Sequence, residues 1–149
     1  MNKEELALKI EKIINEIDLL VPGYAKVEED FIKANGNVAV CIIDESGRVN
    51  GKIWGTDIIR GRECFRVAWT KASQVWITGF RTGEFEKKVF SGELKDTFGI
   101  KMPDFIGWEG GQPVTLEDGT KLSAGFSGFR SETDLEIVLK AIAKVEKNS

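Results

Sequence analysis

A short apolar run near the middle of the sequence places the strongest constraint on the fold. Residues 38–43 read VAVCII and are mostly β-branched. A continuous apolar run of this length is typical of a strand that is covered on both faces. A turn with Gly47 at its last position follows, and the sequence then predicts a returning strand over 48–54. Together the two strands predict an antiparallel hairpin in the interior of the protein.

Further hairpin and helix signals surround this element. A second pair of strands is predicted over 114–116 and 121–127, with Gly119 in the turn between them. Strands that come as hairpins, rather than singly between helices, indicate an antiparallel α+β domain. Apolar side chains at helical spacing predict helices before residue 21, over 24–34, over 57–78 and from 131 onward, and residues 84–95 suggest short helical turns.

Local signals also predict where helices begin, end and bury side chains. Residues 21–23 read Val-Pro-Gly and are expected to break the first helix, and Asn35-Gly36 is expected to end the second as a left-handed cap. Thr56-Asp57 is expected to cap the helix that follows it, and Ser131 with Asp134 resembles a capping box. On the helix over 57–78 one stripe is expected to lie in the core, and it consists of Phe65, Ala68, Trp69, Ala72 and Trp76.

The absence of histidine excludes several functions. None of the 149 residues is a histidine, so a Ser-His-Asp triad in its standard form and a His-based zinc site are excluded. An axial histidine for haem iron is excluded as well, and the other side chains that ligate iron are limited to Tyr24, Met1, Met102, Cys41 and Cys64. The two cysteines fit no metal-binding spacing and are expected to be reduced, free and buried.

Length and charge narrow the class of protein further. A chain of 149 residues is expected to form one domain with its own core. No run is long and apolar enough for a membrane span, and the charged first residues lack the pattern of a signal peptide, so we expect a cytoplasmic protein. The net charge of −3 argues against nucleic-acid binding. Residues 48–88, with nine basic and four acidic side chains, either form solvated helix faces or favour an anionic small molecule.

Four stretches of the sequence resemble the GlcG/HbpS-like proteins, the haem-degrading domain family, which also forms the C-terminal domain of PduO-type proteins. The first is GNVAVCIIDESG, which resembles a family strand that ends in Asp and a Gly turn. The second, AWTKA, is similar to an Ala-x-x-Lys-Ala helix. GGQPV is similar to a Gly-Gly-x-Pro strand entry, and GFSGFRSETD to a Gly-x-Ser-Gly segment before a helix. They begin at residues 36, 68, 110 and 125.

The resemblance implies a fold, a domain division and a type of function. It implies a profilin-like layered fold, in which helices pack on an antiparallel sheet of about five strands. It implies a single GlcG/HbpS-like domain over 24–149, preceded by an extra N-terminal helix over 1–23. For function it implies a homo-oligomer, a dimer or larger, that binds haem or a corrinoid. Because histidine is absent, strong axial ligation of iron is not expected.

Six of the candidate ligand-binding residues lie in these motifs, and the seventh, Arg81, is one of the basic side chains over 48–88 that could hold acidic groups of a ligand. The seven residues are Lys71, Arg81, Gly110, Gly111, Ser127, Gly128 and Arg130. Lys71 interrupts an apolar stripe, where it is either a buried lysine that binds a carboxylate or acts as a base, or a lysine extending to the surface. Residues 125–134 either cradle an anion at a helix start or form an ordinary turn and cap. The cationic side chains Arg60, Arg62 and Arg66 either hold acidic groups of a ligand or pair with Glu63 and the acidic first helix.

Two other classes of function stay open. One is an enzyme, or an accessory of an enzyme, in haem breakdown or in small hydroxy-acid metabolism; no residue pattern points positively to catalysis, and no metal site is expected. The other is an interaction scaffold without a ligand, which would use the aromatic-rich residues 79–109 as its interface.

Overall fold

A four-stranded antiparallel sheet forms the centre of the protein. The computed structural model describes residues 1–148 and contains β1 (Val38–Asp44), β2 (Val49–Trp54), β3 (Gly111–Thr115) and β4 (Lys121–Ser127), in the order β2-β1-β4-β3. All neighbours in the sheet are antiparallel. The expected α+β class is confirmed, with four strands in the described residues rather than about five. All seven residues of β1 are buried, as its apolar run predicts.

Helices cover both faces of this sheet. They are α1 (Lys3–Ala25), α2 (Glu28–Ala34), α3 (Ile58–Thr78), α4 (Thr82–Phe90) and α5 (Ser131–Lys147). The α1/α5 face of the sheet is lined by Val38, Val40 and Ile42, which belong to one core cluster with α1 and α5. The alternate residues of β1 pack in a second cluster against α3. The fold therefore has three layers. Helices α1 and α5 form one outer layer, the sheet forms the middle layer, and α3 forms the other outer layer.

A row of small residues crosses the sheet on the α3 side. The strand register aligns Gly51, Cys41, Gly125 and Gly111 from edge to edge. A Cβ at position 125 would lie 2.2 Å from the carbonyl oxygen of Ala68, and a Cβ at position 51 would lie 2.4 Å from the Phe65 ring. Glycine at these positions thus lets the backbone of α3 approach the sheet closely.

The first helix continues past the break that the sequence predicts. Helix α1 ends at Ala25 and contains Pro22 in its last turns, so the predicted break at 21–23 is wrong. Val21 is buried in the core, and the Tyr24 ring packs against that of Phe129 at 6.5 Å between centroids. These contacts on both sides of the proline hold the backbone helical and offset the hydrogen bond that proline cannot donate. The division into residues 1–23 and 24–149 stays a prediction.

Two helix caps follow the sequence signals, and one does not. Asp57 caps α3 through hydrogen bonds from the amides of Ile59 and Arg60, as predicted. Asn35 ends α2 in the left-handed conformation, also as predicted. The capping box at the start of α5 is wrong, because Arg130 is the cap residue and makes no side-chain cap bond. Asp134 is drawn instead into the contacts with Lys71 that are described below.

The predicted aromatic stripe of α3 is only partly in the core. Ala68 and Ala72 are buried against β1, whereas Trp69 and Trp76 are 42% and 47% exposed. The glycine row brings α3 so close to the sheet that large side chains extend to its flanks. The Trp76 indole, for example, donates a hydrogen bond to the Asp44 carbonyl at 3.0 Å from a half-exposed position. Both cysteines are free and buried, as expected.

Among residues 1–148, no helix is long and apolar enough to cross a membrane.

The buried face of α1 provides the first testable prediction. Ile13 is fully buried in the core cluster, while Leu19 on the same helix is 70% exposed. We expect Ile13→Ala to lower the free energy of unfolding by about 2–5 kcal/mol, because it leaves a cavity beneath α5. Leu19→Ala is the matched control and should change stability by less than about 0.5 kcal/mol. Urea unfolding followed by circular dichroism measures both; equal effects would show that α1 is not part of the core.

Candidate functional site

A buried lysine side chain extends from α3 toward the start of β3 and the end of β4. Lys71 is 2% exposed, and its amine donates hydrogen bonds to the Phe126 carbonyl at 2.8 Å and to Asp134 Oδ2 at 3.3 Å. The sequence left open whether this lysine is buried or extends to the surface, and the structure shows that it is buried. A lysine in such a position requires partners for its charge, because burying an unpaired ammonium is costly.

Three glycines make the space that the Lys71 side chain occupies. A Cβ at Gly111 or Gly125 would lie 3.0 or 3.1 Å from the Lys71 Cβ. A Cβ at Gly110 would lie 2.8 Å from the Lys71 amine and 2.7 Å from the Phe126 carbonyl oxygen. Gly110 also has a φ of 115°, a conformation that other residues rarely adopt. The motif Gly110-Gly111 is therefore explained by close packing around a buried amine.

The first turn of α5 supplies the carboxyl group of this site. Asp134 is 2% exposed, and its Oδ1 accepts a hydrogen bond from the Phe129 amide at 3.0 Å. Burial raises the pKa of Asp134 to about 7, although Lys71 acts in the opposite direction. Burial likewise lowers the pKa of Lys71, with Asp134 opposing. For both groups, the loss of hydration outweighs their mutual attraction, so burial disfavours the charged form of each.

A cleft of about 430 Å³ opens above this pair. Its lining combines cationic, hydroxyl and aromatic side chains, namely Lys33, Arg60, Val67, Lys71, Trp108, Ser127, Gly128, Ser131 and Asp134. Lys33 and Arg60 are exposed, and neither side chain forms an ion pair within residues 1–148. The Arg60 guanidinium is oriented by a 2.7 Å hydrogen bond to the Lys33 carbonyl.

The cleft above Lys71 differs from other clefts on the surface in the charge of the side chains that line it, and not in its volume. Four further surface clefts have volumes of about 460–610 Å³. Their linings contain at most two cationic side chains, and each contains at least one carboxylate. The cleft above Lys71 has three cationic side chains around a single carboxyl group whose pKa is raised. Among these five clefts it is therefore the best match to an anionic small molecule.

The structure brings some of the predicted ligand-binding residues together at this cleft. Lys71, Ser127 and Gly128 line it. Gly110 and Gly111 lie beneath it and pack on Lys71. The sequence could suggest Gly110, Gly111, Ser127 and Gly128 because the family motifs contain them, and Lys71 because it interrupts an apolar stripe.

The two predicted arginines lie outside the lining. The Arg130 side chain donates to both carboxylate oxygens of Asp30, at 3.1 and 3.2 Å, and also contacts Glu132. The Arg81 side chain pairs with Glu109 at 2.8 Å. Both therefore have acidic partners in the protein, and their role in ligand binding stays a prediction. Arg66 pairs with Glu63, which is the alternative that the sequence left open for it.

Sequence reasoning did not assign Lys33, Trp108 or Asp134 to the binding site. Asp134 resembled a helix cap, and Lys33 one charge among several on a short helix. Trp108 lies in a segment that the sequence could describe only as a loop. These residues come from three separate parts of the chain, and no local pattern records that the fold brings them together.

Asp30 holds two helices of the site together through its hydrogen bonds. Its buried carboxylate accepts hydrogen bonds from the backbone and side chain of Arg130 and from the Thr133 hydroxyl at 2.8 Å. Although burial raises the pKa of Asp30, these hydrogen bonds outweigh it and hold the pKa below its usual value. The contacts tie α2, which carries Lys33, to the start of α5, which carries Asp134.

The residues present fit an anionic group better than an iron atom. No cysteine, methionine or tyrosine lines the cleft, and the chain has no histidine. Elsewhere, Cys41 and Cys64 are buried, and burial raises the pKa of both thiols. Tyr24 packs on Phe129, and burial raises its pKa to about 12. Within residues 1–148, no group of three or more acidic or cysteine side chains is arranged to hold a metal.

Solved structures with a similar fold are known. The complex of PduOC with haem matches with a TM-score of 0.60 at 20% identity, over 88% of this chain and 90% of that chain. Protein ORFY of Klebsiella pneumoniae matches with a TM-score of 0.63 at 19% identity, over 89% and 87%. The chain has the fold of the GlcG/HbpS-like proteins. HbpS itself, known from Streptomyces reticuli, matches with a TM-score of 0.59 at 20% identity, over 91% and 86%.

The fold implied by the four sequence motifs is thereby confirmed. The sequence itself matches no protein-family description and no curated protein.

The Asp30 contacts predict a pH-dependent contribution to stability. We expect Asp30→Asn to lower the free energy of unfolding at pH 7 by about 1.5–3 kcal/mol, through the loss of charged hydrogen bonds. Because the pKa of Asp30 is lower in the folded protein than the usual 3.8, this contribution is complete above pH 4 and is lost as the pH falls further. Urea unfolding at pH 7, 5 and 3 measures it. A difference between wild type and variant that does not shrink at pH 3 would contradict this assignment.

Two glycine-to-alanine substitutions, one in the glycine row and one in α1, should have opposite effects on stability. Gly125→Ala should lower the free energy of unfolding by about 1–3 kcal/mol, because its Cβ would collide with the backbone of α3. The matched control is Gly23→Ala in α1, where nothing lies within 4 Å of the added Cβ. This change should raise stability by about 0.5–1 kcal/mol, since glycine is unfavourable within a helix. Thermal and urea unfolding of the two variants decide; a silent Gly125→Ala would contradict the close packing.

Proposed function

We propose that the protein binds an anionic small molecule in the cleft above Lys71. The observation that carries this proposal is the pair of exposed cations, Lys33 and Arg60, which have no acidic partner within residues 1–148 and flank a buried amine. Unpaired cations around a concave site attract carboxylate or phosphate groups, and arginine can bind a carboxylate through two parallel hydrogen bonds. The hydroxyls of Ser127 and Ser131 add donors that are suited to the same groups.

A tetrapyrrole of the haem or corrinoid type is the first ligand class to test. The structure of PduOC in complex with haem, which has a similar fold, supports this choice. Lys33, Arg60 and Lys71 would hold acidic substituents of such a ligand, and the 66% exposed Trp108 offers an aromatic surface. A bound haem would supply the redox chemistry of its iron. No residue that lines the cleft is a usual axial ligand, so the proposed binding depends on the periphery of the macrocycle.

We propose in addition that the protein is a homo-oligomer in the cytoplasm. Large apolar side chains are exposed at positions that precede Lys33 and Arg60 in the sequence, where Phe31, Ile32, Ile58 and Ile59 are each more than half exposed. Exposed apolar side chains of this size are typical of interfaces between proteins. The resemblance of the sequence to the GlcG/HbpS-like proteins, which implies a homo-oligomer, supports the choice of a second copy as the partner. Native mass spectrometry of the purified protein measures the assembly.

Two matched double variants test the binding proposal. In the first, Lys33→Ala and Arg60→Ala remove both unpaired cations of the cleft. In the second, Arg62→Ala and Arg66→Ala remove the same charge from exposed positions on α3 outside the cleft lining. Titration with haemin and with cobalamin, followed by tryptophan fluorescence and ligand absorbance, should show binding weakened at least tenfold in the first variant only. A tenfold change corresponds to about 1.4 kcal/mol of binding free energy.

Two outcomes would contradict the proposal. Equal weakening in both double variants would show a general effect of charge rather than a site. A wild-type protein that binds neither tetrapyrrole would exclude this ligand class, and titration with small mono- and dicarboxylates then tests the anion site alone.

A further inference from the structure

The buried pair of Lys71 and Asp134 exceeds what anion binding requires. Lys33 and Arg60 already provide cationic groups in contact with solvent, whereas Lys71 and Asp134 each have side chains only 3% exposed. A buried ion pair is often no more stabilising than apolar residues of the same size. A pair of this kind at the floor of a cleft therefore suggests a chemical role.

The geometry leaves the Lys71 amine able to react. A lysine amine has three hydrogens when charged, and the described residues provide two acceptors for them, the Phe126 carbonyl and Asp134 Oδ2. Lys71 is also one of the residues that line the cleft. A reaction at this lysine requires that a ligand in the cleft reach the amine, and the close packing of Gly110, Gly111 and Gly125 on Lys71 limits where the side chain can lie.

Burial also acts toward the protonation state that such a reaction needs. It disfavours the charged forms of both groups, lowering the pKa of Lys71 and raising that of Asp134 to about 7. The other charged groups that act on Lys71 are Lys33 from α2, which lowers its pKa, and Glu109 from the loop before β3, which raises it. A proton transfer from Lys71 to Asp134 gives a neutral amine beside a carboxylic acid. A desolvated neutral lysine is a nucleophile toward carbonyl carbon.

We propose that Lys71 captures small aldehydes or ketones that carry a carboxylate, such as 2-oxo acids, by forming an imine at its Nζ. The proposal rests on the anion-binding cleft inferred above, because Lys33 and Arg60 would hold the carboxylate while the carbonyl reaches Lys71. It requires no metal, oxidant or reductant.

The reaction balances with the two groups of the pair. The lone pair of the Lys71 amine forms a bond to the carbonyl carbon, and the Asp134 carboxylic acid gives its proton to the oxygen. After proton transfer from nitrogen to this oxygen, the carbinolamine loses water and the C=N bond forms. The products are a protonated imine on Lys71, an Asp134 carboxylate and one water molecule. The neutral pair thus becomes an ion pair, in which the carboxylate stabilises the positive imine.

Reductive trapping tests this proposal on the full-length protein. Pyruvate is the probe, and cyanoborohydride near pH 7 reduces an imine to a stable amine. Intact mass and peptide mapping should show one adduct per chain, on Lys71. Lys71→Arg keeps the charge and should abolish that adduct. The control Lys87→Arg removes an exposed amine of α4 and should leave it unchanged. Asp134→Asn removes the proton donor and should slow trapping at least tenfold and change its pH profile.

The outcomes separate this inference from the binding proposal. Adducts spread over exposed lysines, or equal trapping in Lys71→Arg and wild type, would overturn the inference. Titration with propionate, which has a carboxylate but no ketone, tests anion binding in the same samples. Binding of propionate or haemin without trapping at Lys71 overturns the imine chemistry alone, and absence of both binding and trapping overturns both proposals. Because the adduct is mapped on the wild-type protein, the result stands even if Lys71→Arg fails to fold.

Discussion

The close approach of α3 to the sheet is the constraint on which the rest of the structure depends. The row Gly51, Cys41, Gly125 and Gly111 lowers the surface of the sheet, so that the Ala68 carbonyl lies where a side chain of β4 would otherwise be. At this separation a long side chain on the same face of α3 has no route through the sheet and extends along it. Lys71 does so over Gly111 of β3 and Gly125 of β4, and its amine reaches the Phe126 carbonyl and the first turn of α5. The packing of a helix thus determines the location of a charged group.

Most of the architecture could be predicted from the sequence because its signals are local. The apolar run of β1, the turns at Gly47 and Gly119 and the cap at Asp57 each act within a few residues. The prediction was wrong at Pro22 and at Trp69, where tertiary contacts decide. Packing of Val21 and Tyr24 in the core maintains the helix through the proline, and the short distance between α3 and the sheet excludes the Trp69 indole from the interior. Local propensity contains neither effect.

The candidate site could be predicted only in part, for a related reason. Lys71 was recognisable as a cation within an apolar stripe, and the glycines and Ser127 were recognisable within motifs. The partner of the lysine, Asp134, was not recognisable, because it is 63 residues away and its spacing from Ser131 resembles a helix cap. Arg130 shows the opposite case. It resembled a ligand-binding residue beside a helix start, but Asp30, 100 residues earlier, engages its side chain. Charged groups find their partners through the fold, so sequence spacing cannot identify them.

The absence of histidine gives the buried pair its significance. Without an imidazole, the chain has no side chain whose ordinary pKa lies near neutrality, so groups able to exchange protons there must be obtained by shifting others. Burial between α3, β4 and α5 does this for Asp134, whose pKa it raises to about 7, and acts in the complementary direction on Lys71. The exposed cations Lys33 and Arg60 attract an anion at the rim of the cleft, and this attraction does not depend on burial. The proposed binding and the proposed imine chemistry therefore have separate physical origins, attraction between charges at the rim of the cleft and burial of the pair at its floor.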